Sequence, residues 1–363
     1  MRRLPLVAVL AAVAAAGTAC DLSPPAATVA GATVTTSQLN AQLSAIAQSP
    51  YAQCTLQIQG VNLPAKVTGA GDSTVTSELA SFELSTLVLE RLVTTDLARR
   101  GHPVTDGDVT SARQDLVAQL SSSASQSPCL LSGRQLVDRL PAAFRNQQVR
   151  FLAAQERLAA TLGKVDLSPA ALFTYYQSHP TQFQEVCLSD IAVQSQAQAQ
   201  QIHDAIASGA STFAAEAQQS SIDTQTAANG GQIPCVATTQ IVNQVITNAI
   251  AGLSPGQITQ PVFEQTGTPG GGGVWFVLQL DGRPNIPFES SQSQIRERLL
   301  SPANALVSAE FSRLAARADV SVDPRFGKWT VAQGIQPPTP PPPSDLLSAS
   351  ADSAPSSTTG AGG

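Results

Sequence analysis

Charge is scarce in this sequence. Asp, Glu, Lys and Arg make up only 13% of its 363 residues, and 26 acidic side chains outnumber 20 basic ones for a net charge of −6. Nucleic-acid binding rests on Lys and Arg neutralising phosphates, so that class of partner is excluded. Histidine is nearly absent: His102, His179 and His203 stand far apart and no C-x-x-C accompanies them, so no metal site is expected. H-E-x-x-H and G-x-S-x-G are missing, and no Lys follows the glycines at 270–273 to make a phosphate loop. Gly69-Ala70-Gly71 lacks the third glycine and the preceding strand of a dinucleotide site. After the N-terminus no apolar run reaches the roughly 18–20 residues that span a bilayer. Aromatics are only 4%, yet 42% of the residues are apolar, enough to build cores.

The N-terminus is what stands out. Arg2 and Arg3 precede a short apolar run at 4–16, and small residues lead into Gly17-Thr18-Ala19-Cys20. That order is a secretory signal, too short to be a transmembrane helix. The terminal Cys resembles a lipoprotein signal, although Gly17 stands where that pattern prefers Leu. Residues 1–20 are therefore expected to be a signal peptide ending at a lipidated Cys20, and 21–26, with Pro24 and Pro25, a tether. The mature chain would be extracytoplasmic and anchored to the cell membrane, each buried methylene contributing about 0.8 kcal/mol.

Beyond the tether, Ala27-Thr28-Val29 and Ala32-Thr33-Val34 read as a hairpin turning at Gly31. Thr36 or Ser37 then caps a helix to about residue 48. Residues 50–72, punctuated by Gly and Pro, read as irregular. Leu79, Phe82, Leu84, Leu87, Leu89, Leu92 and Val93 predict a long amphipathic helix over 73–100, ended by Gly101 and Pro103. Further helices are expected from Thr105, over 133–162 and over 168–177, with a Ser-rich loop at 121–128. The pattern then changes to strands at 187–193, from Gly230-Gly231-Gln232-Ile233, at 258–263 and at 274–280, with helices at 197–208, 212–219 and 241–251. A helix over 290–317, broken at Pro302, and a strand at 320–322 follow. From 334 to 363 the Pro/Ser/Gly-rich chain cannot bury a core and is expected to be disordered.

Several stretches carry a family likeness: residues 27–39, LSPAALFTYYQSHPTQF at 167–183, Ser211-Thr212-Phe213-Ala214-Ala215-Glu216-Ala217, Asn229-Gly230-Gly231, and Leu253-Ser254-Pro255-Gly256-Gln257-Ile258. In this order the chain resembles the SurA and PrsA families of extracytoplasmic folding factors over about residues 27–330. The resemblance implies a mostly α-helical domain at 27–183, completed by 285–330. It also implies an inserted α+β parvulin-like domain at 184–284, with a four-stranded antiparallel sheet. Its partners would be unfolded or nascent exported polypeptides, and it uses no cofactor. If Cys20 is lipidated, four cysteines remain in an oxidising compartment, and three pairings are possible. Proximity within these domains favours Cys54–Cys129 and Cys187–Cys235.

Prolyl isomerisation faces a barrier of about 18–20 kcal/mol set by amide resonance. The resemblance implies three polar positions around an apolar cleft that binds the twisted imide. They fall on Asp190, on Thr224 beside Asp223, and on Trp275, or on Phe276 if the register slips by one. The family places His at the first and last, whereas the three His residues here fall elsewhere. An acid and an aromatic cannot reproduce a facing pair of imidazoles, so weak or absent isomerase activity is expected. Val242, Ile246 and Ala251 would correspond to the apolar wall, with Trp275 and Phe276 as further peptide-binding candidates; all fit equally well as core. Three functions compete: a chaperone or foldase, an active peptidyl-prolyl isomerase, and an envelope docking lipoprotein.

Overall fold

The computed structural model describes residues 24–339 except 64–65, 70, 72–73, 123–128, 130, 132 and 266–271. The signal, Cys20, the first half of the tether, most of the Ser-rich loop and the tail from 340 onward lie outside the described residues. In chain order the elements are β1 (Pro25–Val29), β2 (Ala32–Thr35), α1 (Thr36–Ala47), α2 (Pro50–Ile58), α3 (Ser77–Arg99), α4 (Asp106–Ser122), α5 (Gly133–Arg139) and α6 (Ala142–Gly163). Then come α7 (Pro169–Ser178), β3 (Glu185–Val193), α8 (Gln196–Ala207), α9 (Phe213–Ser220), β4 (Val236–Ala237), α10 (Gln244–Ile250), β5 (Val262–Gln265) and β6 (Gly273–Gly282). The last are α11 (Phe288–Leu300), α12 (Asn304–Arg317), β7 (Val320–Val322), β8 (Lys328–Thr330) and β9 (Gly334–Gln336). Among the described residues no helix is long and apolar enough to cross a membrane.

The chain divides into two compact units, one comprising Met1–Thr161 and Ala305–Gly363, the other Leu162–Asn304. In the first, β1 and β2 form the expected hairpin, and β7 pairs antiparallel with the other edge of β1. The turn residues Ala30 and Gly31 both have positive φ, 48° and 83°, as a two-residue hairpin requires. The cap of α1 is Thr35, one residue before the expected Thr36 or Ser37. Its hydroxyl accepts from the Gln38 N–H at 3.1 Å, and Gln38 Oε1 accepts from the Thr35 N–H at 3.0 Å. This reciprocal pair satisfies two otherwise orphaned donors, which neither later residue would do.

Two expectations fail in this unit. Residues 50–58 are not irregular but form α2, capped by Ser49, with Pro50 in the first turn. There a missing N–H costs nothing and the fixed φ favours the helix. Residues 334–336 are not part of a disordered tail. They form β9, paired with β8; Ile335 is buried and its N–H donates to Ser85 Oγ at 2.8 Å.

The main core of the unit gathers β1, β2, α1, α2 and α3 around Leu39, Leu43, Ile46, Leu84 and Phe144. A second cluster joins α4, α5 and α6 through Leu116, Leu136 and Val149. Gly133 permits the close approach of α4 and α5, since a Cβ there would collide with the Val117 carbonyl oxygen. Cys54 and Cys129 form a disulfide with Cα atoms 6.1 Å apart. Glu310 on α12 bonds Arg100, at the C-cap of α3, and Arg313. Glu83 on α3 is 0% exposed, neither carboxylate oxygen has a hydrogen-bond partner, and burial pushes its pKa up to about 8.

The second unit is built on a four-stranded antiparallel sheet in the order β4-β3-β6-β5. The strand expected at Gly230-Gly231-Gln232-Ile233 is reduced to a bridge between Gln232 and Ser189, and β4 forms later, at Val236–Ala237. The segment entering β3 and the one leaving β6 run side by side: the Glu185 N–H donates to the Pro284 carbonyl at 2.9 Å, and the Ile286 N–H to the Phe183 carbonyl at 2.8 Å. Outside the sheet α7 packs on α11 through Leu172, Phe183 and Ile295, with Tyr176 and Phe288 at the margin. Both helices belong to this unit, Leu162–Asn304.

Candidate peptide-binding site

Alternation along β3 and its register with β6 assign side chains to the two faces of the sheet. Val186 and Leu188 share a cluster with Phe276, Leu278 and Leu280, covered by Ile246 and Ile250 of α10. Ile191 and Val193 share the opposite cluster with Val277 and Trp275, covered by Ala199, Ile202 and Phe213 of α8 and α9. Asp190 pairs with Leu278, Ala192 with Phe276 and Val193 with Trp275. By the two-residue period Asp190 therefore lies on the α10 face and Trp275 on the other.

The two residues expected to face each other are thus separated by the sheet. Trp275 stacks with Phe263 instead, ring centroids 5.1 Å apart. Phe276 is the residue on the Asp190 face, diagonally across the strand pair, where such neighbours stand roughly 7–8 Å apart. Val262 pairs with Phe276 from β5, and the Asn243 side chain donates to Glu264 Oε1 at 2.7 Å, tying the start of α10 to that strand. Ile246 is partly buried in this cluster. Val242 is not part of the wall. It is 95% exposed, because it precedes the Asn243 cap and α10 only begins at Gln244.

Asp190 is 4% exposed, and its Oδ1 has no hydrogen-bond partner. Burial raises its pKa, the negative charge of Asp223 adds to this, and the nearby Thr226 hydroxyl opposes it without completing a hydrogen bond. A carboxyl held in its neutral form donates a hydrogen bond that a carboxylate cannot. The loop carrying these neighbours is laced to the edge of β3: the Ile222 N–H donates to the Ala192 carbonyl at 2.8 Å, and the Ala192 N–H to Ser221 Oγ at 3.1 Å. Asp223 serves the turn itself, accepting from the Gln225 N–H at 2.9 Å, while Thr224 is exposed. Thr226 was not singled out by sequence, since only the loop's path brings it to Asp190. The paired glycines complete the loop. The Gly231 carbonyl accepts from the Asp190 N–H at 2.8 Å, and a Cβ on Gly231, which has φ of 83°, would strike the Asp190 carbonyl. Cys187 and Cys235 are disulfide-bonded, Cα atoms 4.2 Å apart, fixing β3 to the segment before β4.

Residues 183–269 match the family model of the PPIC-type PPIase domain, the rotamases. The second unit contains a parvulin-type domain. Comparison with curated proteins found no match. Among solved structures the chain is similar to the peptidylprolyl isomerase PrsA of Bacillus anthracis, 20% identical over 63% of this chain and 96% of that one, with a TM-score of 0.26. It is also similar to the foldase protein PrsA of Lactococcus lactis, 15% identical over 83% and 96% of the two chains, TM-score 0.38. A third likeness is to a SurA-like chaperone of Campylobacter jejuni, 16% identical over 82% and 100%, TM-score 0.27. All three TM-scores lie below 0.5.

Proposed function

We propose that this chain is an extracytoplasmic, membrane-anchored chaperone or foldase that holds unfolded exported polypeptides. Its parvulin-type domain has weak or absent isomerase activity and acts as a second binding arm. The observation that carries this reading is a rotamase-family domain whose sheet face under α10 carries a buried carboxyl, Asp190, and a phenyl ring, Phe276, with no His at either position. The signal-like residues 1–20 support export, and Cys20 supports the lipid anchor. A groove of about 310 Å³ in the first unit supports polypeptide holding. Phe82, Leu116, Phe151 and Leu152 line it together with Gln119 and Gln148, so apolar side chains meet an uncharged amide rim. Such a surface binds extended chains of many sequences, since it selects for apolarity and backbone amides rather than for charge.

Two measurements test the proposal. The purified mature protein is expected to suppress aggregation of a chemically unfolded, exported client at stoichiometric ratio; no effect at several-fold excess counts against it. In a proline-peptide assay the rate is expected to stay at the uncatalysed value. A second reading, a working isomerase, is favoured by the burial of Asp190, whose carboxyl, when protonated, would donate to the imide carbonyl. Clear catalysis that disappears in Asp190→Ala but survives in Thr224→Ala would establish that reading in place of the first.

A further inference from the structure

The first unit has a second opening, a cleft of about 640 Å³ whose lining includes Val34 of β2, Gln42 of α1, Leu87, Glu90 and Arg91 of α3, and Arg150 of α6. Unlike the amide-rimmed groove, this one is charged. Gln42 is 6% exposed; its Nε2 donates to the Ala143 carbonyl at 3.1 Å, which fixes the amide and leaves Oε1 buried without a partner. Glu90 accepts from Arg150 Nε at 3.3 Å on Oε1, while Oε2 is buried and unpartnered. Gln147 lies close by, but its Nε2 completes no hydrogen bond. Two buried acceptors therefore await donors, and buried acceptors are seldom left unmet. Arg91 forms no ion pair among the described residues, and Arg150 already has Glu90, so the lining carries two cations against one anion. The fitting ligand presents N–H donors and one negative charge close together.

We propose that this cleft binds the free C-terminal end of an extended polypeptide. Arg91 receives the terminal carboxylate, Gln42 Oε1 and Glu90 Oε2 accept from the backbone N–H groups that precede it, and Val34 and Leu87 contact the last side chains. An acidic side chain within a chain holds its carboxylate on a separate stem, away from those N–H groups, and fits less well. This deepens the proposed function and rests on the reading of the first unit as the client-holding body.

The test is a fluorescence-anisotropy titration of the full mature chain with one labelled, unstructured peptide, prepared with a free and with an amidated C-terminus. The free acid is expected to bind about tenfold more tightly, the scale of one charge-assisted contact. Arg91→Gln is expected to abolish that difference. The exposed Arg99→Gln serves as the charge control and is expected to preserve the difference. Equal affinity for acid and amide, a difference that survives Arg91→Gln, or equal binding of an amidated peptide with an internal Glu would overturn the site. Aggregation suppression without acid–amide discrimination overturns this inference alone; discrimination without suppression overturns the chaperone reading alone.

Discussion

Glu83→Gln is expected to raise the unfolding temperature of the protein by roughly ten degrees at about pH 8.5 and to leave it nearly unchanged at about pH 4. Burial without a partner lifts the Glu83 pKa from 4.5 to about 8. The folded state therefore holds a proton that the unfolded state releases between those values. Stability is fully present below pH 4.5 and drains away as pH rises to about 8, because folding must then either take up a proton or bury a bare charge. At 1.36 kcal/mol per unit the loss is about 5 kcal/mol, a large fraction of a typical domain's stability. Glutamine keeps the shape and cannot ionise, so its stability curve should be flat across that window. Circular-dichroism melts across the range check this, and parallel curves for the two proteins would show that Glu83 finds a partner in solution.

Breaking the Cys54–Cys129 disulfide carries the second large effect. The bond joins α2 to the segment after α4 across 75 residues. Loop-closure entropy for that span predicts about 4–5 kcal/mol, with measured values often lower. The Cys54→Ser/Cys129→Ser double variant should unfold at a clearly lower denaturant concentration than the parent, and reductant should then affect it less. A midpoint within error of the parent would mean that α2 is held by its burial of Ala52 and Leu56 alone. The Cys187–Cys235 bond spans 48 residues and should show a somewhat smaller effect.

Much of this architecture is readable from local signals. The hairpin announces itself by alternation around Gly31. The long helix α3 is marked by its apolar period, and the two disulfides pair cysteines that the domains implied by the resemblance bring together. What escapes the sequence depends on partners distant in the chain. Pro50 looks like a breaker until Ser49 is seen to cap a helix around it. Ile335 sits in a stretch with the composition of a tail, and only Ser85, far upstream, reveals that its backbone is held. The same holds at the candidate site. Asp190 could be singled out from its strand, but the choice between Trp275 and Phe276 turns on one residue of register between β3 and β6, which neither strand encodes by itself. Thr226 reaches Asp190 only through the path of its loop. Val242 looked like part of a helical face because the helix start was placed three residues early, before the Asn243 cap.

The pairing of β1 with β7 bears on how the molecule is made. β1 precedes the other described elements in the chain, yet one of its two neighbours is contributed by residues 320–322. Until nearly the whole chain has emerged, that strand must wait with one hydrogen-bonding edge open, a known hazard for association between chains. The sheet of the second unit is contiguous in sequence and can close first. A protein proposed to shelter unfinished polypeptides would thus itself spend its synthesis in need of shelter.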